Sequence, residues 1–263
     1  MSVISKLTTL GAAGSGDNAL VTDAIDPNGS FYVEKTGPLL GSDSPYLTLS
    51  MWFYVPASLP NIYYHTDLRM TTPYGDYSGF YGAINSSETW SLEVYSGGGS
   101  GLVNFRSPNN SLNMGEWNHV VCSYDGVNGV GKFYQNGVNI NVSASTGTVP
   151  YAVAGYGGSI LYTSVAGSST YSNFDFGIGQ YWLDNSYIDL SVEANRNLFY
   201  TKNNEPVDLG ANGENVTGSP PIVFFPFVYS NGASDWAVNK GTVTGFSASG
   251  GGVTNAGTIL AFT

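Results

Sequence analysis

Residues 117–142 restrict this chain to antiparallel β-structure more tightly than any other segment. Trp117–Tyr124 is an apolar run rich in strand formers, closed by the turn pair Asp125-Gly126, and Gly131–Gln135 follows it. The pair Asn136-Gly137 comes next, with apolar residues at the alternating positions Val138, Ile140 and Val142. Asn-Gly between alternating runs is the strongest short hairpin signal, because both residues tolerate positive φ. Strands joined by turns this short can only lie antiparallel to one another.

The rest of the chain repeats the pattern. In Pro45–Val55, residues Leu47, Leu49, Met51, Phe53 and Val55 share one face, and Thr48, Ser50, Trp52 and Tyr54 share the other. Trp90, Leu92 and Val94 alternate with Ser91 and Glu93; Phe174, Phe176 and Ile178 alternate with Asp175 and Gly177; Pro220–Phe225 is a late apolar strand. One short helix is expected near 191–200, capped by Ser191 with Glu193 in its first turn and ending about Tyr200. Charged residues make up only 10%, while Gly (35) and Tyr (19) are abundant, an alphabet for strands and turns rather than long helices. The expected fold is therefore all-β, a sandwich of two antiparallel sheets. Residues 1–15 read as a flexible N-terminal arm, 16–231 as the sandwich, and 232–263 as an irregular Gly/Ser/Thr-rich extension.

Charge and cysteine usage exclude several functions. A net charge of −11 with eight Lys and Arg disfavours nucleic acid and anionic membrane surfaces, which bind through clustered cations. No apolar run approaches the roughly 20 residues that span a bilayer. The segment Met1–Lys6 has one Lys and no continuous apolar stretch behind it, so no secretory signal is expected. Cys122 stands alone in an apolar run and reads as a small buried hydrophobe. Two histidines and one cysteine leave a zinc or iron site almost without ligands.

Three segments, in order, resemble the laminin-G/pentraxin-like branch of the concanavalin A-like jelly rolls. They are Leu47-Thr-Leu-Ser-Met-Trp-Phe53; Gly115-Glu-Trp-Asn-His-Val-Val-Cys-Ser-Tyr-Asp-Gly126 with Lys132-Phe-Tyr-Gln-Asn-Gly-Val138; and Phe174-Asp-Phe-Gly-Ile-Gly179. The resemblance implies a two-sheet jelly roll over roughly residues 45–190. A narrower one covers Tyr187–Arg196, Glu205–Gly213, Pro221–Phe225 and Asn239-Lys-Gly241, which look like laminin-G-type proteins of tailed bacteriophages. It implies a virion surface component assembled in the host cytoplasm: a capsid decoration, head fibre or tail-associated protein. Other virion proteins would be its partners, its terminal arms would attach it to them, and it would form a closed homo-oligomer, expected as a trimer.

The same jelly roll also carries glucanases, in which a Glu-x-Asp-x-Glu strand supplies the paired carboxylates that retaining glycosidases need. No such run occurs here; Asp189 and Glu193 are four residues apart, and Glu193 reads as a helix N-terminal charge. His119, in a strand, reads as a packing histidine with one hydrogen bond, and His65 as a loop residue without a nucleophile beside it. No catalytic residues are expected. Sugar binding draws on aromatic faces beside Asp and Asn. Two stretches supply that mixture: Tyr74, Asp76, Tyr77 and Tyr81 in one, and Tyr181, Trp182, Asp184 and Asn185 in the other. The competing reading is that these aromatics fill the core. Calcium is the candidate ion, with Asp125, Asp175 and Asp184 as oxygen donors, against the plainer reading that acids in Asp-Gly turns are turn residues.

Overall fold

The computed structural model describes residues 22–27, 31–35, 44–55, 57, 64–71, 77–84, 90–95, 101–108, 110–140, 159–163, 178–226, 238–250 and 253–259. Among these the chain is all-β apart from one helical turn, and its strands form two antiparallel sheets. The first sheet contains β1 (Thr22–Pro27), β3 (Tyr46–Val55), β8 (Glu116–Asp125), β9 (Val130–Gln135), β10 (Val138–Asn139), β12 (Ile178–Asp184), β13 (Val223–Phe225) and β15 (Val253–Ile259). Its order is β10-β9-β8-β3-β12-β1-β15, with β13 paired to β12. The second contains β2 (Phe31–Lys35), β4 (Tyr64–Thr71), β5 (Tyr77–Ile84), β6 (Trp90–Tyr95), β7 (Gly101–Arg106), β11 (Ser159–Thr163) and β14 (Phe246–Gly250). Its order is β14-β2-β11-β4-β5-β6-β7.

The Asn-Gly hairpin forms as its residues require. Asn136 and Gly137 have φ of 48° and 75°, and β9 pairs with β10 across them. β3 and β8 pair over their full lengths, Tyr46 opposite Asp125 through Val55 opposite Glu116. Leu47, Leu49, Met51, Phe53 and Val55 are all buried, as the alternation predicts. The other face is covered as well. Thr48, Ser50 and Trp52 are buried just as deeply, at 0%, 2% and 1% exposure, so β3 is covered on both sides.

The covering element is the segment 185–222, which has little regular structure. The helix near 191–200 is shorter than expected: α1 spans Glu193–Arg196, and its N-cap is Val192 with no side-chain bond. Ser191 cannot cap it because its hydroxyl donates to Asp189 Oδ1 (2.6 Å). His65 belongs to β4 rather than to a loop. Of the strand expected at Phe174–Ile178, Ile178 begins β12, and Phe174 and Phe176 lie outside the described residues, as does the arm 1–15.

The sandwich also extends past residue 231. β14 pairs with β2, and β15 pairs with β1, so the segment expected to be irregular contributes a strand to each sheet. Small uncharged residues weaken the local strand signal there, and sequence-distant neighbours supply the pairing. A register shift between Ala24 and Ile25 leaves Ala256 as an extra residue on edge strand β15, a bulge of the kind that protects sheet edges. Removing residues 246–263 should therefore abolish the cooperative thermal transition followed by circular dichroism. An unchanged midpoint would show that these strands lie outside the folded unit.

Candidate functional site

The two stretches singled out for sugar binding have different fates. Gln180–Asp184 lies in β12, between β3 and β13. Tyr181 and Trp182 are 2% and 0% exposed, so neither ring offers a face to a ligand, and the core reading is correct for both. The alternation of β12 sends them to opposite sides of the sheet. Tyr181 lies against Phe225, which in turn meets Phe246 of the second sheet edge-on at 5.3 Å. Trp182 points under the 185–222 cap, edge-on to Phe199 at 5.3 Å, and its Nε1–H donates to Gly213 O at 2.9 Å. Asp184, half-buried at the strand end, accepts from the Ile222 backbone N–H (3.3 Å), and the Asn185 carbonyl accepts from Ser44 Oγ (3.3 Å).

An irregular cap exposes backbone groups that burial would orphan, and the polar residues of the underlying strands satisfy them. Thr48 Oγ1 donates to Ser186 O (2.8 Å), Ser123 Oγ accepts from Ile188 N–H (2.9 Å), and Gln180 Nε2 donates to Val207 O (3.0 Å). Between these bonds an apolar cluster of Trp52, Val121, Trp182, Leu190, Phe199 and Leu209 fills the interface. The cap's far end is held by Asn239, whose Oδ1 accepts from Phe224 N–H (2.6 Å) and whose Nδ2 donates to Ile222 O (3.1 Å).

His119 lies inside this interface, fully buried, with ring centroids 4.6 Å from Trp52 and 5.1 Å from Tyr200. Its Nε2 is 2.8 Å from Ser50 Oγ, its single side-chain hydrogen bond, so it is the packing histidine expected. Burial pushes its pKa down to about 3, which keeps the ring neutral. A serine–histidine contact sealed at 2% and 0% exposure presents no hydroxyl that a substrate can reach. Burial likewise pushes the Cys122 thiol well above its ordinary value.

Asp125 and Asp189 are occupied locally. Asp125 Oδ1 accepts from the Val127 and Asn128 N–H groups and Oδ2 from Asn128 Nδ2; these bonds, the Asn128 side chain foremost, hold its pKa down. Ser191 does the same for Asp189, while Glu193 is exposed on the helical turn. Among the described residues no three His, Cys, Asp or Glu side chains converge. Asp175 lies outside the described residues, as do Tyr74 and Asp76.

Tyr77 and Tyr81 stand on β5, where the register gives them a setting that the sequence could not. Tyr81 is opposite Asp67 of β4, Asp67 opposite Tyr162 of β11, and Tyr162 opposite Tyr32 of β2. Directly opposed residues share a sheet face, so Tyr32, Tyr162, Asp67 and Tyr81 form one row across four strands. Two residues along, Glu34, Ile160, Arg69 and Gly79 form the next row of that face, and Tyr77 opposite Thr71 continues it. The alternate face carries the apolar row Ala248, Val33, Leu161, Leu68 and Phe80. Phe246, two residues before Ala248, is on that apolar face and meets Phe225 of the first sheet. The tyrosine row belongs to the opposite sheet face. Tyr32, Asp67 and Tyr162 were missed in the sequence because each sits in a short run, and only strand order brings them together.

Residues 27–182, more than half of the chain, match the family described as the concanavalin A-like lectin/glucanases superfamily. The chain belongs to this superfamily. The match ends at Trp182, so the cap follows the part of this lectin/glucanase-type sandwich that the family describes. No curated protein matches the sequence. Among solved structures, a candidate carbohydrate-binding protein from Bacteroides ovatus is similar at a TM-score of 0.54 and 14% identity, over 89% of this chain and 60% of its own. A heptameric SAP-like pentraxin from Limulus polyphemus is similar at 0.42 and 15%, over 64% and 77%. Trypanosoma rangeli sialidase is similar at 0.38 and 15%, over 56% of this chain but only 22% of the enzyme. At 14% identity the likeness to the Bacteroides ovatus protein is one of fold.

Two outcomes test the cap. Gly213 has φ +81°, and a Cβ there would lie 2.9 Å from both Phe224 Cγ and Pro221 Cδ, whereas Gly218 (φ +82°) has open space around it. Gly218→Ala should cost about 1 kcal/mol for backbone strain alone, and Gly213→Ala about 2–4 kcal/mol for strain plus crowding, read by urea unfolding. For His119, the unfolded ring protonates below pH about 6.5 and the folded ring only near pH about 3. Stability due to this residue should therefore fall as pH drops through that window, by about 1.4 kcal/mol per unit. The wild-type minus His119→Gln difference in unfolding free energy isolates that slope, and a flat difference would rule it out.

Proposed function

We propose that this chain is a non-enzymatic glycan-binding surface domain whose sugar contacts come from the second sheet. The row Tyr32, Tyr162, Asp67 and Tyr81 carries the reading. Aromatic residues suit the apolar C–H faces of sugar rings, and a neighbouring carboxylate accepts their hydroxyls. Sharing a fold with the Bacteroides ovatus protein supports the reading without deciding it. The non-enzymatic part draws on the local engagement of Asp189, the exposure of Glu193 on the cap, and the sealed Ser50–His119 pair.

The setting we favour is the surface of a bacteriophage particle, as a capsid decoration, head fibre or tail-associated protein. It rests on the segments that resemble phage laminin-G-type proteins, and those segments build the cap and its Asn239 clip. The resemblance thus follows a coherent piece of architecture. On a virion, the glycan would be host surface polysaccharide.

On a glycan array, the wild-type protein should bind a defined set of oligosaccharides. Tyr81→Ala and Tyr162→Ala should each weaken binding roughly tenfold with the thermal midpoint nearly unchanged. Wild-type affinity in both variants would rule out this face. Incubation with the bound polysaccharide should release no reducing ends; release that disappears in Glu193→Gln would make the protein a hydrolase.

A further inference from the structure

We propose that Asn212 is a site of spontaneous chemical modification: its side chain closes on the Gly213 backbone nitrogen, and the products loosen the cap. Asn-Gly pairs are open to this reaction because glycine has no Cβ to obstruct ring closure. The chain has five such pairs, at 28–29, 128–129, 136–137, 212–213 and 231–232. The first and last lie outside the described residues. The others differ in how their amides are held. Asn136 is fixed at both ends: Oδ1 accepts from the His119 N–H (2.8 Å), and Nδ2 donates to Asn118 Oδ1 (2.9 Å). Asn128 donates from Nδ2 to the Asp125 carboxylate (2.6 Å). Asn212 is exposed, and its one hydrogen bond among the described residues runs from its backbone N–H to Glu214 Oε2 (2.7 Å), which leaves the side chain free to turn. The nitrogen it attacks is lightly engaged, with the Gly213 N–H donating to Gly210 O at 3.5 Å. Opening the bonds at Asn128 or Asn136 first slows closure there by roughly tenfold or more.

The step needs no co-reactant but water. Gly213 N bonds to Asn212 Cγ, the Cγ–Nδ2 bond breaks, and ammonia leaves with the proton that Gly213 N gives up. Water then opens the succinimide ring. Attack at Cγ leaves aspartate; attack at the Asn212 main-chain carbonyl leaves isoaspartate, with the chain rerouted through Cβ and Cγ. Rerouting adds a carbon to the backbone at a place without slack. Gly213 O accepts from Trp182 Nε1–H at 2.9 Å, and a Cβ on Gly213 would lie 2.9 Å from Phe224 Cγ and Pro221 Cδ. The isoaspartate form therefore draws Gly213 off Trp182 and releases the bond that fastens the cap. Both products also add negative charge beside Glu214.

The test ages the folded full chain in mildly alkaline buffer, with peptide mass mapping that places each amide-to-acid change and separates aspartate from isoaspartate. Asn212 should convert roughly tenfold or more faster than Asn128 and Asn136. In urea, where no side chain is held, the three rates should converge. Equal rates in the folded chain, or the same ranking in urea, would overturn the assignment of the site to the fold. The purified isoaspartate form should exchange amide hydrogens faster over residues 209–224 and unfold at lower urea. Asn212→Gln should block conversion at this position and keep the wild-type midpoint through ageing. Freshly prepared Asn212→Asp, which carries the charge on an unaltered backbone, should stay near wild type. An isoaspartate form as stable as fresh protein would overturn the loosening, and an equally weakened Asn212→Asp would overturn the rerouted backbone as its cause.

Discussion

The bond from Trp182 Nε1 to Gly213 O, with the indole fully buried against Phe199, is the contact on which the rest of the arrangement depends. It fastens a segment with one helical turn and otherwise irregular backbone to the middle of a sheet. Such a segment satisfies only part of its own carbonyls and N–H groups, and those packed against the sheet need partners from the strands. The strands beneath therefore carry the partners it needs: Thr48, Ser123, Gln180 and Trp182 each bond a cap backbone group. This is why β3 is buried on both faces although one face reads as polar. Substituting those residues by apolar ones would leave three cap carbonyls and the Ile188 N–H buried and unpaired, a larger penalty than the loss of a surface hydrogen bond.

The cap covers one face of the first sheet, and on the other face Phe225 meets Phe246 of the second sheet. Asp189 of the cap is tied into a local turn, His119 of β8 beneath the cap is neutral and enclosed, and Phe199 of the cap is core. The phage-like motifs Glu205–Gly213 and Asn239-Lys-Gly241 fit the same pattern. Gly213 meets Trp182, and Asn239 clips the backbone of β13, so these residues specify a way of packing.

Much of the fold is legible in the sequence because its central strands alternate cleanly and Asn136-Gly137 fixes a turn of one handedness. The site is less legible, for a physical reason. Gln180–Asn185 combines aromatics with hydrogen-bonding groups, and that mixture serves a sugar and a buried polar interface equally well; only burial distinguishes them. Tyr77 and Tyr81 were accessible from their own stretch, but their partners Asp67, Tyr162 and Tyr32 are remote in sequence. Long-range register is what makes them a row, and no local pattern encodes it. The strands β14 and β15 were hidden for the converse reason: Ser, Gly, Ala and Thr give weak strand signals, and β1 and β2 organise them from the other end of the chain.

Hydrogen–deuterium exchange with and without a bound oligosaccharide tests the division of labour most directly, since it reads all backbone segments at once. Protection on binding should appear in residues 31–35, 64–71, 77–84 and 159–163, the four strands that carry the row, with the cap at 185–222 unchanged. Protection confined to the cap, with those four strands unaffected, would contradict the assignment of the second sheet as the ligand surface.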